Sequence, residues 1–286
     1  MILDSHAHLW RRERTPQPWI DSASMAPIDR DFWLDDLHEA QREAGIDGTI
    51  LVQSANSAAE TLDLLALAAG AGDSVRGVVG WIDLTADVAC QLESVRRAPG
   101  GDHLVGIRHL AHQDPDDHWL RRPDVGTGLE ALAEAGLVFD LVVRPDQLAD
   151  TAALVAEHPA VTFVLDHLGK PPIAGGDLAD WSAGLRAVAA SPNVTAKLSG
   201  LVIEADWSSW SIDDLREPVE LALEVFGPSR LMFGSDWPLT RVTGGLTSWV
   251  DAARDLTSRL SQGERDDIFG RTAAGVYRPI PSPRKD

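Results

Sequence analysis

Residues 2–10 read ILDSHAHLW, an apolar start followed by His6 and His8, with Asp4 just before them. In an extended strand, residues two apart leave the same face, so both imidazoles can reach one ion or one substrate oxygen. Asp4 shares that face one step deeper, where it either orients a histidine or makes a buried structural hydrogen bond. An H-x-H pair is a weak signal alone and gains weight from matching stretches elsewhere. Residues 163–171 read FVLDHLGKP and put Asp166 and His167 after an apolar run. Residues 230–239 read RLMFGSDWPL and put Asp236 after another, with Gly234 permitting close backbone approach and Pro238 ending the strand. Because neighbouring residues on a strand face opposite sides, only one of Asp166 and His167 is expected at the site.

Working outward, short runs rich in Val, Ile, Leu and Phe recur at 2–8, 49–53, 77–82, 105–110, 138–143, 162–166, 194–198 and 231–235. Between them lie segments with helical spacing at 35–44, 59–69, 127–135, 147–158, 178–190, 214–226 and 246–261. This alternation is that of β-α units on a parallel sheet, and eight strands favour an α/β fold closed as a (β/α)₈ TIM barrel. A length of 286 residues with 44% hydrophobic content suits one such domain, expected over 1–277, with 278–286 as a flexible tail. The unusual polar residues stand at the C-terminal ends of the runs: Gln53, Trp81, Asp83, Arg108, His109, Arg144, Lys197 and Ser199 join those above. That edge of a barrel carries the active site, and a purely structural core has no reason to collect ionisable groups at one end.

Two long connections, 9–33 and 199–213, carry tryptophans and read as lids or binding loops. There are ten tryptophans against one tyrosine, and Trp81, Trp207 and Trp210 are candidates to stack on a ring. The net charge of −19 repels phosphate backbones and anionic membranes, which excludes nucleic acid and membrane partners and requires a local basic pocket for any anionic substrate. Cys90 stands alone, so neither an intrachain disulfide nor a thiolate metal cluster can form. With no signal-like start and no long apolar run, a cytoplasmic location is expected. There is no G-x-S-x-G elbow, phosphate loop or dinucleotide fingerprint.

Asp236 beside histidines can serve as metal ligand, general base or both; the alternative, a helix N-cap, is disfavoured because no clear helix follows it. Arg108 offers a planar fork to a carboxylate or polarised carbonyl, or a salt bridge to Asp114, Asp116 or Asp117. Lys197 could hold a substrate hydroxyl or carboxylate, or neutralise Asp236. Gln53, His109 and Ser199 are groups for hydroxyls. Arg144 has a weaker claim, and His38, His103, His112, His118 and His158 default to surface roles.

The set ILDSHAHLW, VQSAN, VGWIDL, GIRHL, FDLVVRPDQL, FVLDHLGKP, NVTAKLSGL and RLMFGSDWPL resembles the barrels of the amidohydrolase superfamily. In particular it resembles the sugar-acid lactonase branch of L-fuconolactonases and L-rhamnonolactonases, with the 2-pyrone-4,6-dicarboxylate lactonases as relatives. The resemblance implies hydrolysis of a small-molecule aldonolactone. It selects His167 over Asp166, makes Asp236 and His167 catalytic, and makes His6, His8, His167 and Asp236 the metal set. Arg108 and Lys197 would match positively charged groups facing the substrate, and the strand-end reading adds Gln53, His109 and Trp81 to the same mouth. Neither a bridging lysine carbamate nor a further strand-end histidine is evident, Asp140 standing where such a group would be. One Zn²⁺ or other divalent ion at most is therefore expected, or none. The rival activity is metal-dependent decarboxylation of an aromatic or unsaturated acid on a related barrel. Oligomeric state is not indicated.

Overall fold

Eight parallel strands pair in sequence order: β1 (Leu3–Ala7), β2 (Gly48–Val52), β3 (Val75–Gly80), β4 (Leu104–His109), β5 (Val138–Leu141), β6 (Phe163–Leu165), β7 (Val194–Leu198) and β8 (Leu231–Phe233). The structure is a computed structural model that describes residues 1–279, so the tail expected at 278–286 lies almost wholly outside the described residues. The ring is nearly closed where Ala7 bridges Trp237 in parallel. There His8 N donates to Trp237 O at 2.7 Å and Asp236 N donates to His6 O at 2.7 Å. Closure is thus made by the residues expected to carry chemistry, which fixes the first strand against the last.

Every expected strand is present. The runs at 162–166 and 231–235 end early, at Leu165 and Phe233, because the chain leaves the sheet to deliver Asp166 and Asp236. The expected helices are α1 (Leu34–Ala44), α2 (Ala58–Ala68), α4 (Pro123–Glu134), α5 (Leu148–Glu157), α6 (Ala179–Ala189), α8 (Ile212–Phe226) and α9 (Leu246–Leu256). Sequence reading missed α3 (Val88–Arg97), whose apolar stripe is only Val88, Leu92 and Val95 and whose start Asp87 caps by accepting from Cys90 N. It also missed a short turn, α7 (Leu201–Glu204), inside the long connection after β7, and α10 (Gln262–Asp266) and α11 (Thr272–Tyr277).

Alternation sorts the core. Leu3, Ile50, Val52, Val79, Val105, Val138, Val164 and Met232 fill the barrel, where Ala273 and Tyr277 of α11 join them. Their strand neighbours Leu51, Val78, Ile107, Phe139 and Phe163 turn outward against the helices. Each such side chain contributes roughly 1.5–3 kcal/mol by leaving water, which gives the strand ends a rigid base. The connection 9–33 is anchored: Trp10 and Phe32 exchange backbone hydrogen bonds, and Trp10 Nε1 donates to Arg30 O at 2.9 Å. Among the described residues no helix is long and apolar enough to cross a membrane.

Candidate active site

His6 is the next-to-last residue of β1 and His8 lies just past the strand, and their Nε2 atoms approach to 3.1 Å, as the spacing of two predicts. His8 Nδ1 sits 2.8 Å from the Val52 carbonyl, which only accepts, so Nδ1 carries a proton and Nε2 is the ring atom turned toward the site. Asp4 does not orient a histidine ring. Its Oδ1 accepts from the backbone N–H of His6 at 3.0 Å and of Ser235 at 2.7 Å, lacing β1 to the end of β8.

After β6 the chain enters a left-handed turn, with φ of 54° at His167, 51° at Leu168, 71° at Gly169 and 56° at Lys170. Such angles strain every residue but glycine. Trp181 Nε1 holds the turn by donating to Leu168 O at 2.8 Å, and Ser199 Oγ lies 2.8 Å from His167 Nδ1. Gly200 is required here, since a Cβ on it would fall 2.4 Å from His167 Nδ1. This turn corrects the expectation that Asp166 and His167 face apart. Strand alternation no longer applies once the backbone reverses hand, and both residues enter the site.

Asp236 also has a positive φ, 56°. Its Oδ1 is buried without a hydrogen-bond partner, 3.4 Å from His8 Nε2 and 3.8 Å from His6 Nε2. Burial alone would raise its pKa, but His167, His8 and His6 outweigh that and hold it well below the ordinary value. Burial keeps His167 neutral, with its pKa lowered to about 4. Burial, reinforced by Lys197, lowers that of His6 as well. An ionised carboxylate beside the neutral imidazoles of His6 and His167 is the arrangement of a general base or of a ligand set.

His6, His167 and Asp236 each offer one donor atom, all within 4.8 Å of one another. Two nitrogen ligands about 2.0–2.1 Å from one ion stand roughly 3–3.4 Å apart, which the His6–His8 separation matches. The partnerless Asp236 Oδ1 points the same way, and the Val52 and Ser199 contacts steer His8 and His167 as outer partners do. The donors therefore fit one divalent ion. Asp140 is unavailable for a second, since Lys197 Nζ donates to it at 2.6 Å and Tyr277 Oη at 2.8 Å. Among the described residues no other histidine and acid group converges in this way.

A cavity of about 200 Å³ opens above this centre, walled by His8, Arg108, His167 and Asp236, by Ser54, His112, Lys170 and Trp19, and by apolar Met25, Ile203 and Leu239. A larger hollow of about 520 Å³ lies outside the barrel between α1 and α9 and shares none of these walls. Size therefore does not mark the chemistry; the convergence of ionisable groups does.

Arg108 reaches the cavity, yet its fork is engaged. Nη1 donates to Asp166 Oδ2 at 2.8 Å and lies 3.3 Å from His6 Nε2, Nη2 donates to Gln53 O, and Nε is buried and unpartnered. The acidic loop 114–117 is not its partner. Lys197 lies one layer deeper than expected, fully buried and off the cavity. Its ammonium donates to Asp140, approaches Asp166 Oδ1 at 2.9 Å and sits 3.0 Å from His6 Nδ1. It neutralises those carboxylates, not Asp236.

Gln53 is likewise withdrawn, its Nε2 donating to Arg108 O at 3.0 Å. His109 follows Arg108 on β4 and so faces away from the cavity. It stacks on Trp119 at 3.8 Å, its Nε2 lies 2.8 Å from Asp114, and its Nδ1 accepts from Trp81 Nε1 at 3.2 Å. His109 and Trp81 brace the rim. Trp207 and Trp210 donate to Ile203 O and Thr243 O and pin the second long connection, while Trp19 from the first reaches the cavity. Arg144 pairs with Asp117 and Asp146.

Sequence reading missed Lys170, set Asp166 aside in favour of His167 and gave His112 a surface role. Lys170, inside the FVLDHLGKP stretch, pairs with Glu204 at 2.6 Å across the mouth. His112 was assigned to the surface, but its Nδ1 is buried without a partner, and burial with Lys170 and Arg108 lowers its pKa to about 3. Nothing local in the sequence signals it.

The model of the amidohydrolase family matches residues 3–278. An L-fucono-1,5-lactonase of Burkholderia multivorans is 39% identical over 98% of this chain and 97% of its own. One of Burkholderia ambifaria is 34% identical over 96% and 95%. A zinc-bound amidohydrolase structure from B. multivorans superposes with a TM-score of 0.91 at 38% identity, covering 98% of this chain and 99% of that one. With a near-full-length family match, strand ends that gather a His-x-His pair, a histidine and an aspartate, and relatives well above 30% identity, this chain belongs to the amidohydrolase family.

Proposed function

We propose that this chain is a lactonase that opens a sugar-acid lactone, an aldonolactone, by water attack on the ring ester, within one barrel domain of residues 1–277. The observation that carries the reading is the ionised, partnerless Asp236 Oδ1 at the floor of a monosaccharide-sized cavity, beside neutral histidines and Arg108. The names of the relatives point to the same chemistry.

Asp236 takes a proton from a water in the cavity as its oxygen bonds to the lactone carbonyl carbon. Arg108 Nη1 and the imidazoles of His6, His8 and His167 surround the place where negative charge then grows, and such preorganised, buried groups stabilise it. When the tetrahedral adduct collapses, the C–O ring bond breaks and the protonated Asp236 returns its proton to the leaving ring oxygen. The product is the open hydroxy acid, and Arg108 and Lys170, each already paired with a carboxylate, are the cations of the cavity wall that can share a hydrogen bond with its carboxylate. A divalent ion held by His6, His8, His167 and Asp236 would supply charge that polarises the carbonyl.

The test is a panel of five- and six-membered aldonolactones read by acid release, against acyl-homoserine lactones, simple amides and aromatic acids, with and without zinc. Turnover of aldonolactones at least tenfold above the rest is expected. Acyl lactones or amides winning by tenfold, or zinc-limited decarboxylation of the aromatic acids, overturns the reading.

A further inference from the structure

The last helix among the described residues, α11, sends the Tyr277 side chain into the barrel, and the tip of that side chain is polar. Tyr277 of α11 is buried among Ile50, Val79, Val138 and Met232, and its hydroxyl reaches both oxygens of Asp140, at 2.9 and 2.8 Å. Asp140 Oδ2 also accepts from Lys197 Nζ at 2.6 Å, and Lys197 Nζ lies 3.0 Å from His6 Nδ1. Asp140 and Lys197 have no exposed surface. A continuous column therefore runs from the C-terminal helix up the barrel axis to the first histidine of the site.

We propose that Tyr277 is a positioning residue for the hydrolysis, acting through Asp140 and Lys197 on the His6 imidazole. The inference rests on the lactonase reading for its kinetic consequence alone. A carboxylate has two oxygens to satisfy, and among the described residues Asp140 Oδ1 has only the tyrosine hydroxyl as a donor. A buried ammonium has three protons and here meets Asp140, Asp166 and His6. With the hydroxyl in place, Asp140 engages Lys197 through one oxygen and leaves the ammonium in reach of His6. Without it, the bare Oδ1 competes for the Lys197 ammonium, the other donor that Asp140 has among the described residues, because an unsatisfied buried carboxylate oxygen is costly. The ammonium then swings down, and His6 Nδ1 loses its 3.0 Å contact and is left facing Asp166 Oδ1 at 3.3 Å, which shifts the ring.

The test compares wild type with Tyr277→Phe, which keeps the ring in the barrel and deletes only the hydroxyl, and repeats the change in a Lys197→Met background. On the preferred aldonolactone, Tyr277→Phe is expected to lower kcat about tenfold with KM within twofold of wild type. In the Lys197→Met background the same change is expected to have less than a twofold effect, since the relay is already cut. Nitrogen NMR of labelled histidine gives a readout without substrate: the His6 ring signals move in Tyr277→Phe while those of His38 and His118 stay. Should wild type turn over no lactone, the assigned function fails and the NMR result still decides the relay. An unshifted His6, an unchanged kcat, or an equal loss in both backgrounds overturns the proposal.

Discussion

Removing the Arg108 guanidinium while keeping its approximate bulk, as Arg108→Met does, perturbs stability and turnover together. The Arg108 and Asp166 side chains are 4% and 0% exposed, 2.8 Å apart, so solvent screening does not discount the pair. Deleting one partner of a buried ion pair costs about 3–5 kcal/mol, because the other charge is stranded. Here Asp166 keeps Lys197 at 2.9 Å, so the loss falls near the lower figure. An unfolding entropy of about 2.1 cal/mol/K per residue over this length converts 3 kcal/mol into a fall in Tm of roughly 5 °C. The assay is thermal unfolding of Arg108→Met, Asp166→Asn and the double variant, alongside kcat/KM on the preferred lactone. The double variant should recover part of the stability lost by Arg108→Met, since the carboxylate left behind is gone, but none of the activity. If Arg108→Met leaves Tm within 1 °C, or the double variant loses the full sum of the singles, the buried-pair reasoning is wrong and Arg108 serves the cavity alone.

Replacing Asp236 with Asn keeps its shape but removes the proton acceptor, so kcat should fall by about 10²–10⁴ with Tm nearly unchanged; a folded variant with near-normal rates refutes its role as base. His112 has its pKa lowered to about 3, which signs its contribution to stability: complete above the unfolded value of 6.5 and lost as pH falls toward 3. Wild type should therefore lose more stability than His112→Gln between pH 6.5 and 3, as read by urea titrations; parallel pH curves would show that the ring is hydrated in the folded protein.

How far the sequence could be read follows from the reach of each rule. The eight strands were legible because burial on both faces demands near-continuous apolar runs, and the site's location because ionisable groups ended those runs. The H-x-H pair worked by simple alternation. Alternation failed at Asp166 and His167, where non-glycine residues take a left-handed turn that no local signal announces. It also gave no depth: Lys197 and Gln53 were assigned to the correct end of the barrel but one layer too high. His112 lies in a loop held by Val142 and Arg144, contacts that only the closed ring creates. Tyr277 was overlooked because a lone tyrosine in a terminal helix has no distinguishing local pattern.

The left-handed turn at 167–170 sets stability against activity at a single position. His167 occupies a backbone conformation that costs an ordinary side chain of the order of 1–2 kcal/mol, so glycine there would relax the chain while deleting the imidazole. Selection for thermal robustness alone would therefore erode this turn, and a laboratory lineage screened only for heat resistance would give up the imidazole that the proposed mechanism uses while its fold improved.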